Sequence, residues 1–201
     1  LGLAYLAAVL LKKGDYVEIL DAEALRYTHE DLVKHLEKFE WDVVGVQMLT
    51  PMYYSALQVI KTTRKVRKNT KIFIGGPHVT IFPKKTLEEI PEVDFAIIGE
   101  GEETIVELLD YLEKGLDLKK VKGIGYRRKN KVIITEPRPF IKNLDDIPLP
   151  ARELLMMKRY RPTPTYYRKL PSYIMLTSRG CPFRCSYCSK VFGDTFRFHS
   201  I

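Results

Sequence analysis

The strongest constraint on the fold of this chain is an alternation of short apolar segments with amphipathic ones over its first 112 residues. Segments rich in β-branched residues predict strands at residues 16–20, 42–46, 71–74 and 95–98. Apolar residues at helical spacing predict helices at residues 1–13, 28–39, 53–68, 85–90 and 102–112. The fold class predicted is therefore α/β: a Rossmann-like, flavodoxin-type parallel sheet with helices on both faces.

The second half of the chain predicts a change of organisation. Residues 123–128 and 131–135, joined at Lys129-Asn130, indicate a β-hairpin, and four prolines between residues 136 and 150 indicate an extended connector. Residues 152–160 predict a short helix. We expect three parts: an α/β domain at residues 1–135, a linker at 136–171 and the start of a second domain at 172–201. Because doubly wound sheets open with a central strand, we also expect a strand before Leu1.

All three cysteines of the chain lie close together, at Cys181, Cys185 and Cys188, in the spacing C-x3-C-x2-C. The preceding segment, residues 172–177, is β-branched and aromatic and predicts a buried strand. Thiolates at the end of a strand occupy a position where α/β folds place their chemistry. Cysteine thiolates hold iron–sulfur clusters, and three of them leave one iron of a four-iron cluster open to a small molecule.

The three cysteines are also compatible with roles other than cluster ligation. Three thiols within eight positions pack poorly as core residues, and a disulfide would leave one thiol over. A structural zinc site needs a fourth ligand, and the nearby candidate, His199, does not have the usual zinc spacing. The spacing therefore favours an iron–sulfur cluster, with zinc as the main alternative.

The segment from Cys181 to Cys188, with Tyr187 before the third cysteine, resembles the cluster loop of radical S-adenosylmethionine (SAM) enzymes. This resemblance implies that the three cysteines ligate a [4Fe-4S] cluster whose open iron binds SAM. It also implies that Tyr187 lies near the SAM adenine. Residues 172–201 would then be the first strand and the cluster loop of a truncated partial TIM-type barrel, with the other SAM-binding residues beyond Ile201.

The first domain resembles the cobalamin-binding domain attached to many radical SAM enzymes. The resemblance rests on four features of the sequence. They are the segment Gly2-Leu-Ala-Tyr-Leu-Ala-Ala, Asp21 after the predicted strand at residues 16–20, Gly75-Gly76-Pro77-His78 and Gly99-Glu-Gly-Glu-Glu103. Loops at the carboxyl ends of parallel strands form a ligand crevice, and glycine lets the backbone approach a flat corrin. The cobalamin-binding residues that this implies are Gln47, Leu49, Thr50, Gly75, Gly76, Gly99 and Gly101.

The chain departs from the pattern of many methyl-transfer modules, which carry a D-x-H-x-x-G motif for the lower ligand of cobalt. That position would fall before Leu1, with Gly2 as its last glycine. His78 follows Gly-Gly-Pro, and we expect it to be a polar residue positioned by a turn or helix. Each loop glycine, taken singly, could also be an ordinary helix-entry turn.

Composition sets limits on partners and compartment. The net charge is +8, but the densest basic run, residues 64–68, ends a predicted helix, where cations complement the helix dipole. This favours a solvated helix end over a nucleic-acid-binding patch. No apolar run is long enough to span a membrane. With clustered thiols and no signal segment predicted, we expect a reducing cytoplasm.

These observations favour a cobalamin-dependent radical SAM enzyme, either a methyltransferase or an enzyme that modifies C–H or C–C bonds. We expect a small-molecule substrate and a reducing electron donor as partners, and no activity from these residues alone. A tRNA methylthiotransferase is a weaker hypothesis, because that family carries three further cysteines in its amino-terminal domain. A non-catalytic corrinoid-binding or sensor module with a structural zinc site is the alternative from another class.

Overall fold

The computed structural model describes residues 1–129 and 131–200. The helices are α1 Gly2–Lys13, α2 Ala22–Leu25, α3 His29–Glu37, α4 Tyr53–Val66, α5 Pro77–Ile81, α6 Pro83–Glu89 and α7 Glu102–Glu113. The strands are β1 Val43–Gln47, β2 Lys71–Gly75, β3 Phe95–Ile97, β4 Ile124–Arg128, β5 Lys131–Ile134, β6 Ser178–Arg179 and β7 Arg197–Phe198.

A five-stranded sheet in the order β1-β2-β3-β4-β5 forms the centre of the molecule. β1, β2 and β3 are parallel, whereas β4 and β5 continue the sheet as an antiparallel hairpin. The predicted hairpin is thus confirmed, while Asn130 of its turn lies outside the described residues. β1 is the edge strand of this sheet among the described residues. The expected strand before Leu1 stays a prediction.

Helices cover both faces of the sheet because its strands are apolar on both sides. Ile72 and Ile74 of β2 pack in a core with residues of α4 and α6. Phe73, between them, points to the other face, where it packs with residues of α1 and α7. The predicted Rossmann-like α/β fold with helices on both faces is confirmed.

Helix boundaries follow local capping chemistry. Thr28 closes a capping box at the start of α3: its side chain accepts a hydrogen bond from the backbone of Asp31, whose carboxylate accepts one from Thr28. Gly14 ends α1 in the left-handed conformation, with φ of 101°. Both boundaries agree with the sequence-based prediction.

The predicted strand at residues 16–20 is wrong, since no described residue of this segment belongs to a strand. Its apolar side chains Val17 and Ile19 pack instead beside Ala7 and Ala8 of α1. A strand needs a hydrogen-bonded neighbour, and among the described residues none lies alongside this segment. The alternation of apolar residues therefore persists without the sheet pairing that it normally indicates.

The predicted buried strand at residues 172–177 is not present among the described residues, and the barrel that it would begin stays a prediction. No strand is assigned there, and the apolar side chains from Tyr173 to Leu176 are exposed. The nearest pairing is a two-stranded antiparallel ribbon, in which Ser178 faces Phe198 and Arg179 faces Arg197. The predicted helix at residues 152–160 is reduced to a short 3-10 turn at Arg152–Leu154. The domain boundaries stay predictions.

Candidate functional site

The loops that follow β1, β2 and β3 meet at one end of the sheet, which we call the carboxyl edge. Gln47 and Gly75 are level with each other at the ends of β1 and β2. The Met48 backbone N–H donates to the Gly75 carbonyl at 2.8 Å, and the His78 N–H donates to the Met48 carbonyl at 3.3 Å. The parallel register therefore brings the first two predicted cobalamin loops into direct contact.

Contacts within the protein require glycine at position 76. Its φ is +106°, and a Cβ placed on it would lie 2.9 Å from the carbonyl oxygen of Met48. Gly75 and Gly101 are likewise close to other elements: an added Cβ would contact Ile97 at 3.7 Å and Leu6 at 3.0 Å, respectively. These three glycines allow close packing of the chain against itself, so their presence alone does not indicate a ligand.

Gly99 differs from the other loop glycines. Its φ is +79°, and an added Cβ would meet nothing within 4 Å. Its N–H donates to the Thr80 hydroxyl at 3.0 Å, and that hydroxyl donates to the Gly76 carbonyl at 3.1 Å. Thr80, which was not predicted as a site residue, thus links the loops after β2 and β3. A threonine four residues after a Gly-Gly pair was the sequence signal that could have indicated it.

His78 is held in α5, the short helix that follows β2. Its Nδ1 lies 3.0 Å from the Thr50 hydroxyl, and its ring lies between those of Tyr53 and Phe82, with centroids 5.2 and 5.6 Å away. The interaction joins the loop after β1 to α5. The expectation that His78 is a positioned polar residue agrees with this geometry.

A cleft of about 320 Å³ opens beside Gly99. Three parts of the chain line it: the loops at the carboxyl edge, the connector and the segment that follows Cys188. The lining residues include Thr80, Ile98, Gly99, Arg138, Phe140 and Lys190. Of the predicted cobalamin residues, only Gly99 lines this cleft. Gln47 ends β1, and Leu49 and Thr50 follow it in the neighbouring loop.

The three cysteines lie in a loop that we call the cysteine loop, residues 180–196, closed by the β6–β7 ribbon. Cys181, Cys185 and Cys188 are exposed and form no disulfide. In the part of the chain that the structure describes, no three metal-binding side chains are gathered into a site. Tyr187 is 91% exposed.

His199, the candidate fourth zinc ligand, interacts elsewhere. Its Nδ1 lies 3.2 Å from Asp145 Oδ1, and this carboxylate also accepts from the Ser200 backbone N–H at 3.1 Å. Hydrogen bonds from Ser200 are the main cause that lowers the pKa of Asp145 below its ordinary value, and the interaction with His199 contributes less. His199 therefore contacts the connector, and the structure gives it no link to the thiols among the described residues.

Sequence reasoning also missed a buried ion-pair network at the carboxyl edge. Glu100 contacts both Arg179 and Arg197, and Glu102 contacts Arg179 at 2.6 Å. Burial alone would lower the pKa of Arg179, but its bonds to Glu102 and Glu100 outweigh this and raise the pKa above its ordinary value. Arg179 and Arg197 together join the cysteine loop to the loop after β3.

The residues at these sites fit the expected cofactors in different ways. The open space at Gly99 and the adjoining cleft can receive part of a ligand at the end of parallel strands, where α/β folds bind ligands. The cysteine loop supplies three accessible thiols, the donor type that iron–sulfur clusters require, without assembling them around a common point.

Comparison with known proteins agrees with this geometry. Residues 1–109 match the B12 binding domain family. An uncharacterized methyltransferase of Pyrococcus horikoshii is 41% identical over 203 residues, covering 100% of this chain and 43% of the relative. An anaerobic magnesium-protoporphyrin IX monomethyl ester cyclase of Cereibacter sphaeroides is 33% identical over 193 residues, covering 93% of this chain and 31% of the relative.

The fold also matches a solved structure of the cobalamin-dependent S-adenosylmethionine radical enzyme OxsB, with aqua-cobalamin and S-adenosylmethionine bound. The TM-score is 0.82 and the sequence identity 23%, over 100% of this chain and 27% of that one. The chain thus spans less than half the length of these relatives. Among the described residues, none of the helices is long and apolar enough to cross a membrane.

Proposed function

Since the chain belongs to the B12 binding domain family, we propose that its carboxyl edge holds cobalamin and that its cysteine loop holds a [4Fe-4S] cluster that binds SAM. The whole protein would then be a radical SAM enzyme of the reducing cytoplasm. Its partners would be a small-molecule substrate and a reducing electron donor.

The observation that carries this proposal is the cleft beside Gly99. One wall comes from α5 and the loop after β3, and another from Ser189, Lys190 and Val191, directly after Cys188. A ligand bound at the carboxyl edge would therefore lie next to the cysteine loop. Two cofactors that act together in one reaction require this proximity.

The chain's own residues would have distinct roles. Gly99 leaves open space for the ligand, while Thr80 and His78 hold the adjoining loops in place through the bonds described above. Cys181, Cys185 and Cys188 would ligate the cluster, and Tyr187 would contact SAM. Gln47, Leu49 and Thr50 would line the cobalamin site beside β1. When bound, cobalamin supplies a transferable methyl group, and the cluster with SAM supplies radical chemistry.

The reaction class is methyl transfer or a related modification of C–H or C–C bonds. One relative is named a methyltransferase and another a cyclase, so the family resemblance supports both kinds of reaction. The proposed substrate is a small molecule.

The test compares two glycines with matched backbone strain. Gly99 and Gly115 have φ of +79° and +61°, and an added Cβ meets nothing within 4 Å at either position. Asparagine tolerates this region better than other side chains, so Gly99→Asn and Gly115→Asn should destabilise the fold about equally. Gly99→Asn should weaken hydroxocobalamin binding to the complete protein on the order of tenfold, a loss typical of a blocked contact.

Binding is measured by the visible absorption of the corrin after gel filtration. Equal affinity in the two variants would contradict a site at Gly99, and no binding by the unaltered protein would contradict the proposed function. Iron, sulfide and zinc are determined in the same samples after anaerobic reconstitution. Iron with sulfide supports the cluster, whereas zinc alone supports the sensor-module alternative.

A further inference from the structure

The two arginines of the β6–β7 ribbon face each other across the mouth of the cysteine loop. Arg179 pairs with Arg197 in the register of the ribbon, so their side chains emerge side by side. Arg179 lies two residues before Cys181, and the ribbon closes again at Arg197. Two like charges at directly opposed positions destabilise an antiparallel pair unless a counter-charge lies between them.

Glu100 provides this counter-charge. Its Oε1 accepts from Arg179 Nη1 at 3.2 Å, and its Oε2 accepts from Arg197 Nη1 at 2.9 Å. Oε2 also accepts from the Ile141 backbone N–H at 2.8 Å. One carboxylate therefore binds both strands of the ribbon and the connector.

Further hydrogen bonds complete the network. Glu102 accepts from Arg179 Nη2 at 2.6 Å. Arg197 also donates to the carbonyls of Ile141 and Phe192, at 2.7 and 3.0 Å. None of the four charged side chains of this network is more than 9% exposed.

A buried network of this kind contributes little net stability, because desolvation of the charges offsets their attraction. Its geometry is nevertheless specific, since each arginine has directional bonds and an aromatic ring beneath it. The guanidinium of Arg179 lies 5.1 Å from the ring centroid of Tyr5, and that of Arg197 lies 5.0 Å from the ring centroid of Phe140. These directional contacts therefore favour one docking orientation of the ribbon.

The position of Glu100 connects this ion-pair network to the proposed cobalamin site. Glu100 lies between Gly99 and Gly101, in the loop after β3. This loop borders the cleft that also contains Lys190 and Val191 of the cysteine loop. The same short loop thus contacts the proposed cobalamin site through Gly99 and holds the cysteine loop through Glu100.

We propose that Glu100 is a positioning residue, which holds the cysteine loop at one distance and orientation from the carboxyl edge and so sets the spacing between cluster and cobalamin. This inference rests on the proposed function. Glu100 touches neither cofactor in it. It acts through Arg179 and Arg197, and Glu102 supports it by binding Arg179.

The first arm of the test needs no cofactor. Amide hydrogen exchange is compared between the complete protein, Glu100→Gln and the control Glu103→Gln, whose side chain is largely exposed and outside the network. In Glu100→Gln, the amides of Cys181 and His199, which bond within the ribbon and loop, should exchange roughly tenfold faster or more, as expected for loss of a charged hydrogen bond. The amides of Met48 and Ile98 should be unchanged.

The second arm uses protein loaded with both cofactors. Pulsed electron paramagnetic resonance measures the distance distribution between the reduced cluster and cob(II)alamin. The distribution should broaden or shift in Glu100→Gln at undiminished cofactor content, and it should stay unchanged in Glu103→Gln. The milder Arg197→Lys, which keeps the charge but loses the fork of donors, should have a smaller effect and replaces Glu100→Gln if that variant does not fold.

The outcomes separate the two proposals. Unchanged exchange at Cys181 and His199 overturns the docking role of Glu100, whether or not cofactors bind. Faster exchange with an unchanged distance distribution shows that Glu100 only stabilises the loop, and it overturns the positioning role. Failure of the unaltered protein to bind either cofactor overturns the proposed function and, with it, the spacing role, while the exchange arm still decides whether Glu100 docks the ribbon.

Discussion

The sheet region, residues 2–134, and the C-terminal region, residues 151–200, contain similar apolar residues but use them differently. In the sheet region, large apolar side chains such as Ile60, Phe73 and Leu108 are fully buried. In the C-terminal region they are mostly exposed: Tyr166, Tyr173, Ile174, Met175, Leu176, Phe183, Tyr187, Phe192, Phe196 and Phe198. Apolar burial therefore stabilises the first region, whereas the second is attached by the apolar contact of Ala151 and Leu154 with α1 and by the charged contacts of Arg179 and Arg197.

This difference shows that different physical forces hold the two regions in place. Hydrophobic burial is non-directional and grows with the area removed from water, so it produces a stable core without specifying each contact. The ion pairs of Glu100 are few and directional, so they specify a docking geometry and add little stability. Changes in the sheet region should accordingly alter the free energy of unfolding, and changes in the C-terminal region should alter local order.

The largest effect should come from truncating isoleucine in the two regions. Ile60 of α4 is 0% exposed in the core, and Ile174 is 70% exposed. Ile60→Ala should lower the free energy of unfolding by about 2–5 kcal/mol, because it removes buried surface and leaves a cavity. The same change at Ile174 should alter it by less than about 0.5 kcal/mol. Denaturant titration followed by circular dichroism measures both, and a comparable loss at Ile174 would contradict the contrast.

An intermediate effect should come from glycines at two chain crossings. Gly76→Ala places a Cβ 2.9 Å from the Met48 carbonyl at a φ of +106°, and should cost about 1–3 kcal/mol of global stability. Gly180→Ala places a Cβ onto the carbonyl of Thr195 at a φ of +84°. It should open the ribbon while the global transition stays within about 0.5 kcal/mol.

Hydrogen exchange distinguishes these two glycine variants. The amide of His199, which donates to the Thr177 carbonyl at 3.0 Å, should lose protection in Gly180→Ala only. The amide of Met48 should lose protection in Gly76→Ala only. Global unfolding of Gly180→Ala at a much lower denaturant concentration would show that the two regions form one cooperative unit.

The smallest effect should come from the capping box of α3, which is local to the sheet region. Thr28→Ala should lower the free energy of unfolding by about 1 kcal/mol, because it removes the acceptor for the Asp31 N–H. The hydrogen bonds from the Thr28 backbone and hydroxyl lower the pKa of Asp31 below its ordinary value. The contribution of the Asp31 carboxylate to stability is therefore fully present at pH values above the ordinary pKa of aspartate. It is lost as the pH falls through the lowered pKa of Asp31.

The pH dependence of this cap has its own control. Asp31→Asn should be less stable than the unaltered protein at neutral pH, and the two should converge in acid as Asp31 is protonated. Stability is compared over this pH range by thermal unfolding. A difference that persists unchanged at low pH would mean that the charge of Asp31 does not contribute to the cap.

The sequence predicted the strands and helices of the sheet region well because their signals are local. The apolar runs at β1, β2 and β3 and the helical spacing of α4 and α7 each need only the neighbouring residues to be recognised. The same signals failed at residues 16–20 and 172–177, where the alternation is present but no partner strand lies alongside among the described residues. Pairing is a property of two segments, and one segment cannot reveal it.

Within the candidate site, the sequence indicated the right loops but not the roles of their residues. The glycines at the ends of β2 and β3 could be predicted, because turns that leave strands use glycine. Only the structure shows that Gly76 accommodates the Met48 carbonyl while Gly99 borders open space. Whether a glycine serves the fold or leaves room for a ligand depends on what lies opposite its missing side chain, and that is a long-range contact.

The sequence by itself determined the α/β fold, the carboxyl edge and the three-cysteine loop, since periodicity, turn residues and cysteine spacing are all short-range properties. Only the tertiary structure decided that Glu100 binds Arg179 and Arg197, which follow it by 79 and 97 residues. Charged residues occur throughout the sequence, so nothing distinguishes these three before folding. The physical reason is that water screens charged side chains until folding buries them. Once buried, each charge needs a counter-charge within hydrogen-bonding distance, and only the tertiary structure decides which one that is.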